Sequence, residues 1–325
     1  MRHGFAVVLV LAAACGGGSS TTGDDVVDVD APVAVARGFQ VVSPDIAIAP
    51  GVEITQCYYF TTPNTEPMAI KGWKSDMTPG SHHMIMFMTD TQQMPDGTVT
   101  PGDCGLQSGT SIATWTYAAQ MPTAAIQLPS DDGTGKPLAQ EIPAHAHAYF
   151  QMHYLNATDQ TIMAHVTLDA EALDAGAPYT PTAAYVTYNP NLSIPAGATG
   201  LEIPQTCDVP AGAKFWLMST HAHKQAVRTV VRDGDASGQV VFESTDWEHP
   251  GAALFMTPST FYSFTAPSTK TVGLNSLTFA CTYDNPSNRT IEDGNSAATD
   301  EMCMASGYYF PATHPRFCFN GFLFP

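Results

Sequence analysis

Charge is scarce in this chain. Only 13% of its 325 residues are Asp, Glu, Lys or Arg, against roughly a quarter in an average domain. Cations are the scarcest: 12 Lys and Arg stand against 30 Asp and Glu, a net charge of −18. Such a surface repels nucleic acid and anionic lipid. It favours neutral or cationic partners, weakly and in a salt-dependent way. The sequence has no long helical period, no internal repeat, no CxxC, no HExxH and no GxGxxG. A cysteine zinc site and the usual zincin and dinucleotide-binding accounts are therefore set aside, and no Ser-His-Asp order replaces them. After residue 14 no apolar run is long enough to serve as a membrane anchor.

What is present begins with a targeting segment. Arg2 precedes an apolar stretch, "FAVVLVLAAA" (residues 5–14), that is too short to span a bilayer and reads as a signal-peptide core. The ending "LAAAC" resembles a bacterial lipoprotein signal, which implies lipidation at Cys15. Alanine (Ala12) stands where leucine is usual, with Leu11 one position earlier. Residues 15–37, rich in Gly, Ser, Thr and Asp, read as a flexible tether. The expected location is the cell envelope, at a bacterial outer membrane, with the lipid as the one membrane contact. The other six cysteines form an even set, which in an exported chain argues for disulfides, and spacing alone leaves fifteen pairings open. The sequons "NAT", "NLS" and "NRT" carry no weight in a bacterial protein.

Length allows about two domains. Alternating, strand-like runs fall at residues 56–62, 82–88, 148–156, 161–169, 183–189, 213–223, 226–233 and 238–245, separated by turns such as "DGT", "DGDASG" and "PAGA". The pattern predicts an all-β chain of two tandem antiparallel β-sandwiches of jelly-roll type, over residues 38–175 and 176–325. The Pro/Ala/Gly-rich "DAEALDAGAPYTPTA" (169–183) is taken as their joint, although "AEALDAG" could form one helical turn.

The histidines carry the chemistry. "SHHMIMF" sets His82 and His83 side by side in an apolar run. Neighbours on a regular strand point to opposite faces. One ring would be buried and the other exposed, unless the strand bends so that both reach one metal. "QMHY" puts Gln151 and His153 on one strand face, and "THAH" does the same for His221 and His223. An HxH pair on a strand can grip a metal with both rings, though a polar solvent face would show the same pattern. "AHAHAY" offers another such pair, His145 and His147. Methionine suits Cu(I) better than zinc or calcium. Most of the 14 methionines must be core filler. Met302 differs, because it lies between acidic residues and Cys303.

The ordered set "HHM", "QMHY", "HAHK" and "DEMC" resembles the copper type II, ascorbate-dependent monooxygenases, over residues 40–320. Each motif is weak alone, and the order and intervals carry the likeness. The resemblance implies two copper ions per chain. His82, His83 and His153 would hold one, which stores and passes an electron. His221, His223 and Met302 would hold the other, where O2 binds and a substrate C–H bond is hydroxylated. Gln151 matches a position beside the first copper. The implied partners are a small-molecule substrate, O2 and a one-electron reductant such as ascorbate. The implied disulfides are Cys57–Cys104, Cys207–Cys318 and Cys281–Cys303.

Departures are specific. Where the family's peptide hydroxylase grips a peptide carboxylate with Arg and Asn, this chain has Ser219 and Met304, so a C-terminal-glycine peptide is not the expected substrate. Ala222 replaces the Thr between the paired histidines. His145 and His147 are expected in a loop without a third metal, His249 in a structural role and His314 in a loop. A cupin reading fails for want of the glutamate that should follow the HxH pair. Two other classes stay open: an extracytoplasmic copper carrier without turnover, and a plain two-sandwich surface protein without stoichiometric metal. Ascorbate-dependent O2 uptake separates enzyme from carrier, and copper content separates both from the surface protein.

Overall fold

β-Branched and aromatic residues alternate with polar ones along most of the chain, and the backbone answers with strands. The computed structural model describes residues 37–102, 104, 107, 108 and 111–324. The leader, Cys15 and nearly all of the tether lie outside the described residues. Among those described there is no helix.

Four main sheets organise the structure. The first orders strands Gly38–Val42, Val166–Ala172, Met68–Met77, Leu138–Ile142 and Thr180–Pro181, with Thr123–Gln127 also paired to Met68–Met77. The second orders Val99–Pro101, Glu53–Thr61, His147–Leu155, Ser81–Thr89 and Thr114–Ala119. The third orders Ala253–Leu254, Lys214–Ala222, Cys303–Phe310, Ala183–Tyr188, Arg316–Phe319 and Phe322–Phe324. The fourth orders Leu201–Val209, Asn275–Tyr283, Ala226–Asp233 and Val240–Ser244. Pairing is antiparallel except where Leu138–Ile142 meets Thr180–Pro181 and where Ala183–Tyr188 meets Arg316–Phe319.

Among the described residues, no main sheet mixes strands from before Pro181 with strands from after Ala183. The chain crosses over there, because Thr180 and Pro181 still pair with Leu138 and Ala139. The stretch "AEALDAG" forms no helical turn: its first residues complete the strand Val166–Ala172. Burial alternates through that strand, so tertiary packing overrides the helix propensity of Ala and Leu. The run expected as one strand over 161–169 breaks at His165, whose backbone N–H and C=O are both taken by Thr78.

Ala36–Pro325 nevertheless forms one compact unit, and the packing shows why. Trp216 and Phe310, from the later strands, are buried in the same core as Ile70, Trp73 and Tyr154. Trp216 donates its indole N–H to Thr182, and Tyr308 donates to the carbonyl of Thr116. Glu53 accepts from Ser296 and from the backbone of Ala297.

All three disulfides implied by the resemblance are formed: Cys57–Cys104, Cys207–Cys318 and Cys281–Cys303. The last two staple the fourth sheet to the third. They close loops of 111 and 22 residues, worth about 3 to 5 kcal/mol each in the chain-entropy account. Such bonds fit an oxidising, extracytoplasmic compartment.

Candidate metal centre

The adjacent histidines are explained by a register shift. Along the strand pair, His153 faces His83, but the next residue, Tyr154, faces Ser81. His82 is therefore an extra residue, a β-bulge, and a bulge re-aims side chains that would otherwise alternate. Both rings are buried, with exposures of 7% and 8%, and their centroids lie 5.1 Å apart. His153 sits across the ladder, its ring 5.2 Å from His82 and 5.1 Å from His83.

The other pair needs no irregularity. His221 and His223 lie two apart at the end of Lys214–Ala222, and their rings are 5.3 Å apart. His221 faces Met304 and Ala222 faces Cys303 across the ladder. Cross-strand partners share a face, so Met304 joins the His221 side. Met302 comes next along the same strand end, beside a cysteine fixed by its disulfide.

These groups meet. His82 lies 5.3 Å from His221 and 5.8 Å from His223, ring to ring, and His83 lies 5.2 Å from His221. Two triads can each bring their ligand nitrogens within 4.8 Å: His82, His83 and His153, and His82, His221 and His223. His82 belongs to both. The five histidines of the two expected ligand sets lie side by side, with His82 within reach of both triads.

The residues fit a metal by a direct observation. Buried polar atoms are nearly always hydrogen-bonded. Four ring nitrogens here have no such partner although buried: His82 Nε2, His83 Nδ1, His221 Nε2 and His223 Nε2. The opposite nitrogens of two rings are engaged. His221 Nδ1–H donates to Gln120 Oε1 at 2.7 Å, and His223 Nδ1–H to the carbonyl of Asp300 at 3.2 Å. Such bonds fix the tautomer and leave the Nε2 lone pair for a metal. Burial, then neighbouring imidazoles, push these groups toward the neutral form. His82 falls to about 4 and His223 to about 3, while His83 and His221 go well below the ordinary range. Neutral imidazoles are what a metal needs.

A cavity of about 160 Å³ adjoins the cluster, between the second and third sheets. His83, His153, His221, Met302 and Gln151 line it, with an apolar wall of Ile85, Phe87, Trp115 and Met304. Nitrogen and thioether donors beside an apolar chamber suit copper, including Cu(I).

Several supporting residues went unseen in the sequence. Gln120 accepts from His221 and donates to the carbonyl of Thr220 at 3.2 Å. Glu53 accepts from His153 Nε2–H at 2.9 Å. Burial would raise the Glu53 carboxyl, but bonds from Ser296, Ala297 and His153 hold it below its ordinary value. Glu301 is fully buried and accepts from the backbone of His223, Gln225 and Met302. Burial outweighs those bonds and lifts it to about 7. None belongs to a spacing motif. Only the position of Glu301 before Met302 offered a signal.

The remaining marked residues lie elsewhere. His145 sits in a turn, but His147 begins a strand rather than lying in the expected loop, because it pairs with Thr61 and Thr89. His249 is exposed beside Asp246, and the exposed His314 lends its carbonyl to Tyr309. Ser219 donates to the carbonyl of Gly251.

The fold and the donor set define an all-β chain with a buried cluster of histidines that could hold a metal, beside a cavity lined by Met302. Residues 182–322 match the family "Copper type II ascorbate-dependent monooxygenase, C-terminal domain". His221, His223 and Met302 fall inside that match, while His82, His83 and His153 fall outside it. The match supports the family, and the family implies copper and ascorbate dependence. No curated protein matches the chain. Among solved structures, the major capsid protein P2 from bacteriophage PM2 aligns at 8% identity and TM-score 0.35, covering 83% of this chain and 97% of its own. The VP54 of PBCV-1, fitted into the virophage Sputnik, aligns at 7% and 0.29, covering 85% and 94%. Broad Bean Stain Virus aligns at 9% and 0.29, covering 90% and 94%. Likenesses this slight carry no argument.

Proposed function

We propose that the chain is a copper-dependent monooxygenase, using O2 and a one-electron reductant to hydroxylate a C–H bond of a small organic substrate. The observation that carries this reading is the set of four buried, unpartnered imidazole nitrogens beside Met302 and an apolar chamber. His82, His83 and His153 would hold one copper, and His221, His223 and Met302 the other. Copper cycling between Cu(II) and Cu(I) would supply the electron transfers and the activation of O2. The protein's own part follows from its geometry. Gln120 and the Asp300 carbonyl hold the protons of His221 and His223 on Nδ1, so both rings present Nε2. Glu53 holds the His153 ring in place. Ile85, Phe87, Trp115 and Met304 exclude water and favour a substrate with an apolar C–H face. A chamber of about 160 Å³ limits the bound portion to a small molecule or the end of a longer one. The absence of Arg and Asn at Ser219 and Met304 speaks against a peptide carboxylate.

The carrier reading is disfavoured by burial, since an ion delivered to a partner needs a ligand at the surface and these nitrogens are enclosed. Attachment to the envelope through a lipid on Cys15 is part of the proposal. The test is copper per chain by elemental analysis, followed by reductant-dependent O2 uptake over a panel of small substrates. Two coppers with substrate-stimulated uptake support the enzyme. Two coppers without uptake support the carrier, and no stoichiometric copper sinks both.

A further inference from the structure

A second cleft, of about 570 Å³, shares Trp115 with the chamber beside the histidine cluster. This volume falls in the range of small-molecule sites. His145, His147 and His314 line the cleft, with Pro143 and Pro315 as apolar walls. Its floor is held firmly. Asn64 donates to the carbonyl of Pro143, His145 N–H donates to the carbonyl of Asn64, Thr62 N–H donates to the carbonyl of Ala146, and Ala146 N–H donates to the Thr62 hydroxyl. His145 is fixed with φ at 50°, a conformation that non-glycine residues adopt rarely. The charged lining groups are Asp90 and Glu141, with no lysine or arginine among the described residues there.

We infer that this cleft, one side chain from the metal centre, binds the electron donor, and that the donor is a neutral diphenol of the hydroquinone class rather than an anion. The inference rests on the proposed monooxygenase function. Two carboxylates at the cleft and a net charge of −18 repel ascorbate, an anion at neutral pH. A phenol with a pKa near 10 is uncharged there. Its ring suits the prolines and the Trp115 face, and its hydroxyls suit imidazole acceptors. Oxidation of one diphenol breaks two O–H bonds and yields a quinone, two electrons and two protons. The electrons would cross at Trp115 to reduce two Cu(II) to two Cu(I). The two protons would pass to ring nitrogens of the cleft imidazoles, which can accept a hydrogen bond from each hydroxyl.

The test begins with anaerobic calorimetric titration of the metal-free protein with hydroquinone and, separately, with ascorbate. The parent should bind one hydroquinone per chain saturably, and ascorbate at least tenfold more weakly. The variant His145→Gly/His314→Ala removes two imidazoles from exposed positions, and glycine suits the backbone at position 145. It should bind hydroquinone at least tenfold more weakly. The Cu(II) EPR signal of its copper-loaded form should decay at least tenfold more slowly on mixing with subsaturating hydroquinone, with copper per chain unchanged. No saturable binding to the parent, equal binding to the variant, or ascorbate binding as tightly as hydroquinone would overturn the inference. A parent that takes up no copper would instead sink the proposed function, while the metal-free titrations would still judge the cleft.

Discussion

The two halves of the histidine cluster reach the same end by different means. His221 and His223 converge because a strand has period two, and nothing irregular is needed. His82 and His83 converge only because His82 is an inserted residue that breaks the ladder opposite His153 and Tyr154. A regular pair is tolerant, since any strand of the right register supplies it. A bulged pair depends on one local defect in the sheet, and bulges are retained for the side chain they re-aim. The supports differ as well. His221 is held by a side-chain amide from Gln120, whereas His153 is held by a carboxylate, Glu53, that is itself clasped by Ser296 and Ala297.

Breaking the comparison at its shared member should give the largest effect. His82→Ala is expected to lower copper from two per chain to one and to weaken the remaining ion about tenfold, because His82 lies within reach of both triads. Met302→Ala should remove only the second ion, leaving the His83 and His153 side intact. Elemental analysis with competitive chelator titration reads both. Equal, independent losses would mean that the histidines act as two separate sites.

A pH titration reaches both halves and sharpens the point that His82, His83, His221 and His223 are pushed toward the neutral form by burial. His82 falls from its ordinary value of 6.5 to about 4 in the folded protein. The unfolded chain therefore binds more protons between those values, and stability falls as pH drops through that window. At about 1.4 kcal/mol per unit, His82 alone would cost about 3 kcal/mol by pH 4, with the other buried rings adding in the same direction. Urea unfolding of the metal-free protein at pH 7 and pH 4.5 checks the sign, and a flat profile would contradict the burial argument.

The second half should depend on its staple in a way the first does not. Cys281→Ala/Cys303→Ala opens a 22-residue loop, expected to cost about 3 kcal/mol and to loosen Met302 beside it. Thermal unfolding reads the stability, and the fraction of copper bound with a thioether ligand, by X-ray absorption, reads the site. The smallest effect is expected at Gln120. Gln120→Leu removes the bond that fixes the His221 tautomer and should weaken one copper by about tenfold, the lower end for such supports, with little change in thermal stability.

The sequence showed the fold class, because alternation is a local signal and most of the named runs became strands. It missed Met68–Met77, Leu201–Val209 and Cys303–Phe310 as strands, where Lys74, Pro204 and the small residues Ala305, Ser306 and Gly307 blur the alternation. Motif order singled out the five histidines that the structure brings together, and the family resemblance implied the three disulfides that are formed. The union of the histidines into one cluster was not visible. It depends on packing between strands a hundred residues apart in sequence, such as Gln120 against Thr220. The bulge was similarly hidden, because "HHM" reads the same whether or not the ladder slips. Glu53 was unreadable for the same reason, since its partners lie 100 and 243 residues away.

That clasp between Glu53 and Ser296 has a consequence for timing. The site is spread across much of the chain, from Glu53 to Met302, so no early fragment can assemble it. Contacts of such long range form late in folding. A chain growing from its N-terminus would carry His82, His83 and His153 long before the loop that steadies His153 exists. If the cluster holds copper as proposed, tight capture would report that the last strands are in place and the Cys281–Cys303 disulfide is closed.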